Sequence, residues 1–443
     1  MKPSSFKKVV VAASTAAVLG LPLLTGSLDA HSAWAAGTKT TPPAKTQAAA
    51  PAKTPTTTPA KNGVTPKNVV LFIGDGMGEA SRNAIRYATV GKNGTLEMDN
   101  MPVTGLVRTS SSDHLVTDSA AAATAIATGV KSYNGAIGVD PNKKPVTTIM
   151  ELAKKAGMST GVVTTSQVTD ATGAAFGAHV ENRSAQSDIA KQYIENSKID
   201  VLLGGGEDFW YPKGTAGSHP DAPAEDPTEA SKGTQGNLVE RAKQLGYNYV
   251  TNDSELKAAK NGKLLGLFAN EEMFQAHNEV GNQYNPIVSL PDMTTKALDV
   301  LSQNKKGFFL LVEEEGTDEM AHDNNAELTI KAGQQLDKAV KVAKDYAKKH
   351  PDTLVLVTAD HETGGMVIEG PDDEDESGDG LSKEDGPFTV AGSEEQFFID
   401  WTTEGHSAVD VALTAMGPGS EQFVGNYQNT AIHDKLVKLL KLK

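Results

Sequence analysis

Three short apolar runs in this chain end on acidic residues, and that pattern constrains the fold more than any other feature. Residues 69–73, 308–312 and 354–359 are continuous apolar stretches rich in β-branched residues, and they lead into Asp75, Glu313 and the pair Asp360-His361. Residues 161–165 and 201–203 are runs of the same kind. Continuous rather than alternating hydrophobicity marks strands covered on both faces. Helical patterns lie between them: 146–156 stopped by Gly157, 238–245 stopped by Gly246, 327–349, and a last one after His433. This alternation predicts an α/β fold, a largely parallel central sheet flanked by helices on both faces, with surface insertions at 206–236 and 372–379. Ligands of such sheets bind at the carboxyl ends of the strands, so the acids stand where chemistry is expected.

The chain has no cysteine, which excludes disulfides and thiolate-held metals. Residues 1–35 carry Lys2, Lys7 and Lys8 ahead of an apolar run and a small-x-small site at Ala33-Trp34-Ala35, the pattern of a cleaved export signal rather than a membrane anchor. Residues 36–66 are almost wholly Thr, Pro, Ala and Lys, which predicts a flexible linker, either a plain spacer or a tether lying on an anionic envelope. The remainder, 67–443, reads as one catalytic domain with 34 basic against 55 acidic side chains. A body that acidic repels nucleic acid as a partner. No transmembrane segment is expected in the mature, exported chain. The acidic run at 372–379 lacks the EF-hand spacing and reads as a solvated loop rather than a calcium site.

Candidate chemistry clusters in five places. Asp318 and His322, four apart, share one face of a helical turn; Asp360 and His361 are adjacent at a strand end; His406 follows Gly405 and opens another helical pattern. Histidines among carboxylates, without cysteine, suit a catalytic metal site with open positions. Ser119, in Thr117-Asp118-Ser119 before an Ala-rich helix, is either a nucleophile facing the helix N-terminus or part of an ordinary cap. Arg183, downstream of Asp170-Ala171-Thr172 and His179, is either a two-pronged clamp for a tetrahedral anion or a surface residue.

Taken in order, Gly74-Asp75-Gly76-Met77-Gly78, Thr117-Asp118-Ser119-Ala120, Asp170-Ala171-Thr172 through Arg183, Glu313 through His322, and Asp360-His361 with His406 resemble the motifs of alkaline phosphatases. The resemblance implies hydrolysis of small phosphate monoesters with Ser119 as nucleophile and a phosphoserine intermediate. It implies one zinc on Asp318, His322 and His406, a second on Asp75, Asp360 and His361, and magnesium on Asp75, Thr172 and Glu313. Arg183 would clamp the phosphoryl group with Asp170 beside it, and the protein would work as a homodimer in the alkaline range. Two departures stand out. Better-known members carry Lys, His or Trp where this chain has Glu319, and usually Gly where Glu314 and Glu315 follow Glu313. Extra negative charge there should weaken phosphate binding or recruit another cation.

Competing readings are a phosphodiesterase of the same superfamily, acting through Thr117 or promiscuously, and a metal-containing, envelope-tethered protein that is not an enzyme. A sulfatase would need x-Pro-x-Arg after the nucleophile, and Ser119 is followed by four alanines.

Overall fold

The computed structural model describes residues 65–219, 230–260, 262–274, 284–371 and 384–443. The expected export signal, nearly all of the linker and the acidic 372–379 run lie outside the described residues. Along the chain, β1 (Asn68–Gly74), α1 (Glu79–Val90), β2 (Val103–Arg108), α2 (Ser119–Thr128) and α3 (Ile149–Lys155) are followed by β3 (Ser159–Gln167), α4 (Ala171–Gly177), α5 (Gln186–Gln192) and β4 (Val201–Gly205). Next come α6 (Leu238–Gln244), β5 (Asn248–Val250), α7 (Asp253–Ala258), β6 (Leu264–Leu267), α8 (Leu290–Leu301), β7 (Phe308–Glu314), α9 (Gly316–His322), α10 (Ala326–Lys349) and β8 (Thr353–Thr358). The last part is strand-rich: β9 (Glu362–Thr363), β10 (Val367–Glu369), β11 (Asp385–Thr389), β12 (Gln396–Asp400), β13 (His406–Ser407), β14 (Val411–Met416) and β15 (Gly425–Gln428), then α11 (Thr430–Leu440).

Among the described residues a ten-stranded sheet runs in the order β15-β2-β14-β8-β1-β7-β3-β4-β6-β5. The stretch from β8 to β5 is parallel throughout, and β14 is antiparallel to both β8 and β2. Every residue of β1, β7 and β8 is buried, as their unbroken apolar runs require. The sheet therefore has the largely parallel character read from the sequence. Its four central strands, β8, β1, β7 and β3, carry Asp360, Asp75, Glu313 and Asp170 at or just past neighbouring carboxyl ends.

Three local readings need correction. The helix read as 146–156 begins at Ile149, because Thr148 and Glu151 form a reciprocal capping box that fixes its start. The final helix begins at Thr430, before His433 rather than after it. The segment 206–236 is more than a surface loop where it is described: Trp210 is fully buried, and buried Glu207 accepts from the backbone N–H groups of Ser218 and His219. A carboxylate taking up two backbone donors organises a Gly-rich stretch that has little apolar surface of its own.

Helix α10 packs against α1, α8 and α9, and its contact with α1 depends on Gly333. A Cβ there would lie 2.0 Å from Ile85 Cδ1 and 2.6 Å from Cγ1, in a place where Ile85 is fully buried. Alanine favours the helix by about 1 kcal/mol, but overpacking costs about 1–3 kcal/mol. Gly333→Ala is expected to lower the thermal midpoint at fixed metal concentration; a midpoint equal to or above wild type would show that the α1–α10 contact has slack.

Candidate metal and catalytic site

The site is built from strand ends and the turns that follow them. After β1 the chain turns sharply at Gly76, whose φ is +63° and whose absent Cβ would sit 2.4 Å from Asp318 Oδ1. Only glycine lets the turn carrying Asp75 approach α9 so closely. Thr317 Oγ1 donates to the Asp75 carbonyl at 2.5 Å, and the Gly76 N–H donates to Asp360 Oδ1 at 3.2 Å. These bonds tie the ends of β1, β7 and β8 into one cluster.

Two groups of side chains converge. Asp318, His322 and His406 each bring a donor atom within 4.8 Å of the others, as do Asp75, Asp360 and His361; these are the two such groups among the described residues. Asp318 and His322 face each other across one turn of α9 at 3.1 Å, as their spacing predicts. His406 arrives differently. It lies in β13, which pairs antiparallel with β9 so that His406 stands opposite Thr363, rather than opening a helix. Pairing with β9 uses backbone groups that a helix would have kept for itself.

Hydrogen bonds on the outer nitrogens fix what the inner ones present. His322 Nδ1 bonds the Glu404 carbonyl, and His406 Nδ1 bonds the Thr117 carbonyl at 2.9 Å. A carbonyl accepts only, so both Nδ1 atoms carry the proton and both Nε2 atoms of the neutral rings present lone pairs, 3.1 Å apart. Thr363 donates its hydroxyl to Asp318, so its oxygen is left to accept from His361 Nδ1 at 3.3 Å. His361 Nε2 is then also a lone pair, facing Asp360 Oδ2 at 3.0 Å and Asp75 Oδ1 at 3.5 Å. Asp75 Oδ1, Asp360 Oδ2 and Glu313 Oε1 are buried without a hydrogen-bond partner. Lone pairs turned on lone pairs in a buried space fit cations, and imidazole with carboxylate suits zinc.

Electrostatics agree. Burial, then Asp360, Asp318 and Glu313, hold the Asp75 carboxyl well above the usual range. Asp318, against the cost of its burial, is held below that range by His322, His361 and His406. In the absence of a cation, a proton taken up by His322 Nε2 is held by Asp318, which lifts the His322 pKa to about 9. Thr172, in the first turn of α4, donates from Oγ1 to Asp75 Oδ2 at 3.3 Å and also bonds Glu313, so Asp75, Thr172 and Glu313 form a third, oxygen-only trio.

Ser119 is the first residue of α2, capped by the Asp118 side chain, which accepts from Ala121 N. Its Oγ lies 3.2 Å from His361 Nε2 and is largely buried. Arg183 Nη2 donates to Asp170 at 2.8 Å, and Nη1 lies 3.6 Å from Asp118 Oδ2, so two carboxylates aim the guanidinium. The structure thus brings together every site residue read from the sequence. Sequence reading missed Thr363, whose only signal was its place two residues after His361, and it read Asp118 as a cap without its second role beside Arg183. Thr117, the alternative nucleophile, is buried with its hydroxyl donating to the Asp118 carbonyl at 3.0 Å.

Comparison with known proteins bears directly on this arrangement. A family model described as alkaline phosphatase matches residues 66–394. Alkaline phosphatase 4 of Bacillus subtilis (strain 168) is 35% identical, with 85% of this chain and 89% of that protein covered. Alkaline phosphatase of Escherichia coli (strain K12) is 34% identical, with 85% and 86% covered. The solved alkaline phosphatase from the Antarctic bacterium TAB5 superposes with a TM-score of 0.68 at 33% identity, covering 86% of this chain and 99% of that one.

Proposed function

The chain belongs to the alkaline phosphatase family and is a phosphate monoester hydrolase, and we propose that it works through a phosphoserine formed on Ser119. The observation that carries this reading is the position of Ser119 Oγ at the N-terminus of α2, 3.2 Å from His361 Nε2 in one of the two converging groups. Asp318, His322 and His406 would hold one zinc, Asp75, Asp360 and His361 a second, and Asp75, Thr172 and Glu313 a magnesium. Bound there, the ions would supply Lewis-acid charge for the phosphoryl, attacking and leaving oxygens.

The chain's own groups do the rest. Arg183 grips two phosphoryl oxygens, held in place by Asp170 and Asp118, and so fixes phosphorus in front of Ser119. Ser119 Oγ gives up its proton to solvent and attacks; the Oγ–P bond forms as the ester P–O bond breaks, and the alcohol leaves, taking a proton from solvent in return. Water then attacks phosphorus, the Oγ–P bond breaks, and inorganic phosphate and Ser119 are regenerated. Phosphoryl transfer depends on positioning and charge compensation, and the leaving group needs few contacts, which supports broad monoester specificity.

Purified protein should hydrolyse a chromogenic monoester far faster than the matching diester, lose that activity on chelation and regain it with zinc and magnesium. Diester preference would move the assignment to a phosphodiesterase. Arg183→Lys keeps the charge but loses the fork, so kcat/KM should fall by about 10-fold or more with zinc content unchanged; an unaltered kcat/KM would place Arg183 outside the phosphate site. Export through the 1–35 signal, a 36–66 linker and assembly as a homodimer belong to the same proposal. They are supported by the N-terminal pattern and by the family, and no described helix is long and apolar enough to cross a membrane.

A further inference from the structure

Beside the ligands assigned above, a second set of buried oxygen atoms has nothing to answer it. Glu315, just before α9, is 5% exposed, and its Oε2 has no hydrogen-bond partner. The strongest charges acting on it are the carboxylates of Asp170, Glu319, Glu272 and Glu313. Glu272 comes from the segment after β6, which is laid across the end of β3 by the bond from Met273 N to the Thr165 carbonyl at 2.8 Å. Gln167, the last residue of β3, donates from Nε2 to Glu272 Oε1 at 2.7 Å, while its own Oε1 is buried without a donor. Turning that amide over would set oxygen against oxygen, so the unanswered acceptor is fixed there. The nearby cations are committed: Lys232 pairs with Glu271, and Arg183 with Asp170 and Asp118.

We infer that Glu272, Glu315 and Glu319, with the Gln167 amide oxygen, hold a hydrated divalent cation of the magnesium class, separate from the three ions assigned above. Carboxylate and amide oxygens without nitrogen select a hard cation. These carboxylates do not close into a direct ligand trio as the two converging groups do. Magnesium retains several of its waters and is readily held through them. The ion puts positive charge next to Asp170 and Arg183, where better-known members carry Lys, His or Trp in place of Glu319. Glu315 and Glu319, which look unfavourable beside a phosphate site, then become the ligands of its counter-charge.

The full chain, loaded with zinc and dialysed against magnesium, is counted for both metals by mass spectrometry beside Glu272→Gln and Glu319→Lys. Each variant is expected to hold one magnesium fewer per chain than wild type, with zinc content and circular dichroism unchanged. Glu319→Lys does so by supplying the positive charge itself, and it should also bind phosphate more tightly. Equal magnesium in wild type and both variants overturns the inference. So does loss of zinc together with magnesium, which would make these glutamates supports of the catalytic ions. Ser119 phosphorylation, followed on the same samples, tests the phosphoserine reading separately: its absence in wild type with the magnesium difference intact would sink that reading and leave this site standing.

Discussion

Ser119→Ala is expected to cut steady-state monoester hydrolysis by at least about 10³-fold while leaving the fold and metal content intact. The hydroxyl is a small part of the local structure. The helix it begins is capped by Asp118, which accepts from Ala121 N at 3.0 Å and from Gly135 N at 2.8 Å, and neither bond involves Ser119. Its loss should therefore change stability by less than about 1 kcal/mol. What disappears is the oxygen that faces His361. Wild type, quenched in acid during turnover, should carry one phosphoryl group on the peptide containing Ser119, and the variant none. Activity within ten-fold of wild type would instead mean direct attack by water. Thr117 is a poor substitute nucleophile, because its hydroxyl is spent on the Asp118 carbonyl and is shut away from solvent.

The parts of this site that were legible in the sequence are those set by local rules. The central strands announced themselves as unbroken apolar runs, and their parallel arrangement put Asp75, Glu313 and Asp360 side by side at the carboxyl ends. Asp318 and His322 were legible because a helical turn brings positions four apart together. His406 stood out as a histidine among carboxylates, but its grouping with Asp318 and His322 came only from the family's motifs, and its local structure was misread: pairing between β9 and β13, segments more than forty residues apart, sets it and leaves no periodicity to read. The same holds for Thr363, whose bond to Asp318 spans 45 positions. Glu314 illustrates the opposite error. As an acid beside a phosphate site it looked disruptive, yet it is buried and fully engaged, accepting from Thr165 Oγ1 at 2.8 Å, Tyr284 OH at 2.5 Å and Gly316 N at 3.1 Å. Its side chain is spent holding Tyr284 against the end of β7, a role that no pattern in one segment can reveal.

Stability of the chelated protein should fall steeply with rising pH, and metal should flatten the curve. Without cations, burial and then Asp170 push the Glu313 carboxyl up to about 8, and Asp75 is held well above its usual range by burial and by Asp360. Unfolded, both titrate near 4. The folded state therefore binds more protons than the unfolded one over the interval between those values. The contribution of these groups is fully present below about pH 4 and is lost progressively as pH rises through about 8. His322, lifted to about 9 by Asp318, has the same sign and extends the decline to the alkaline end. His406 is lowered by burial and by His361 and works the other way, but only near and below the ordinary histidine value of about 6.5. Each unit of displacement is worth about 1.4 kcal/mol, so the metal-free protein should lose several kcal/mol between pH 6 and pH 9. Bound cations take the place of those protons, and the loaded protein should show little of this slope, so the two forms differ most in the alkaline range where the family works. Thermal midpoints of loaded and chelated protein measured across that range provide the check, and parallel curves would mean that the buried carboxylates are neutralised by something other than metal.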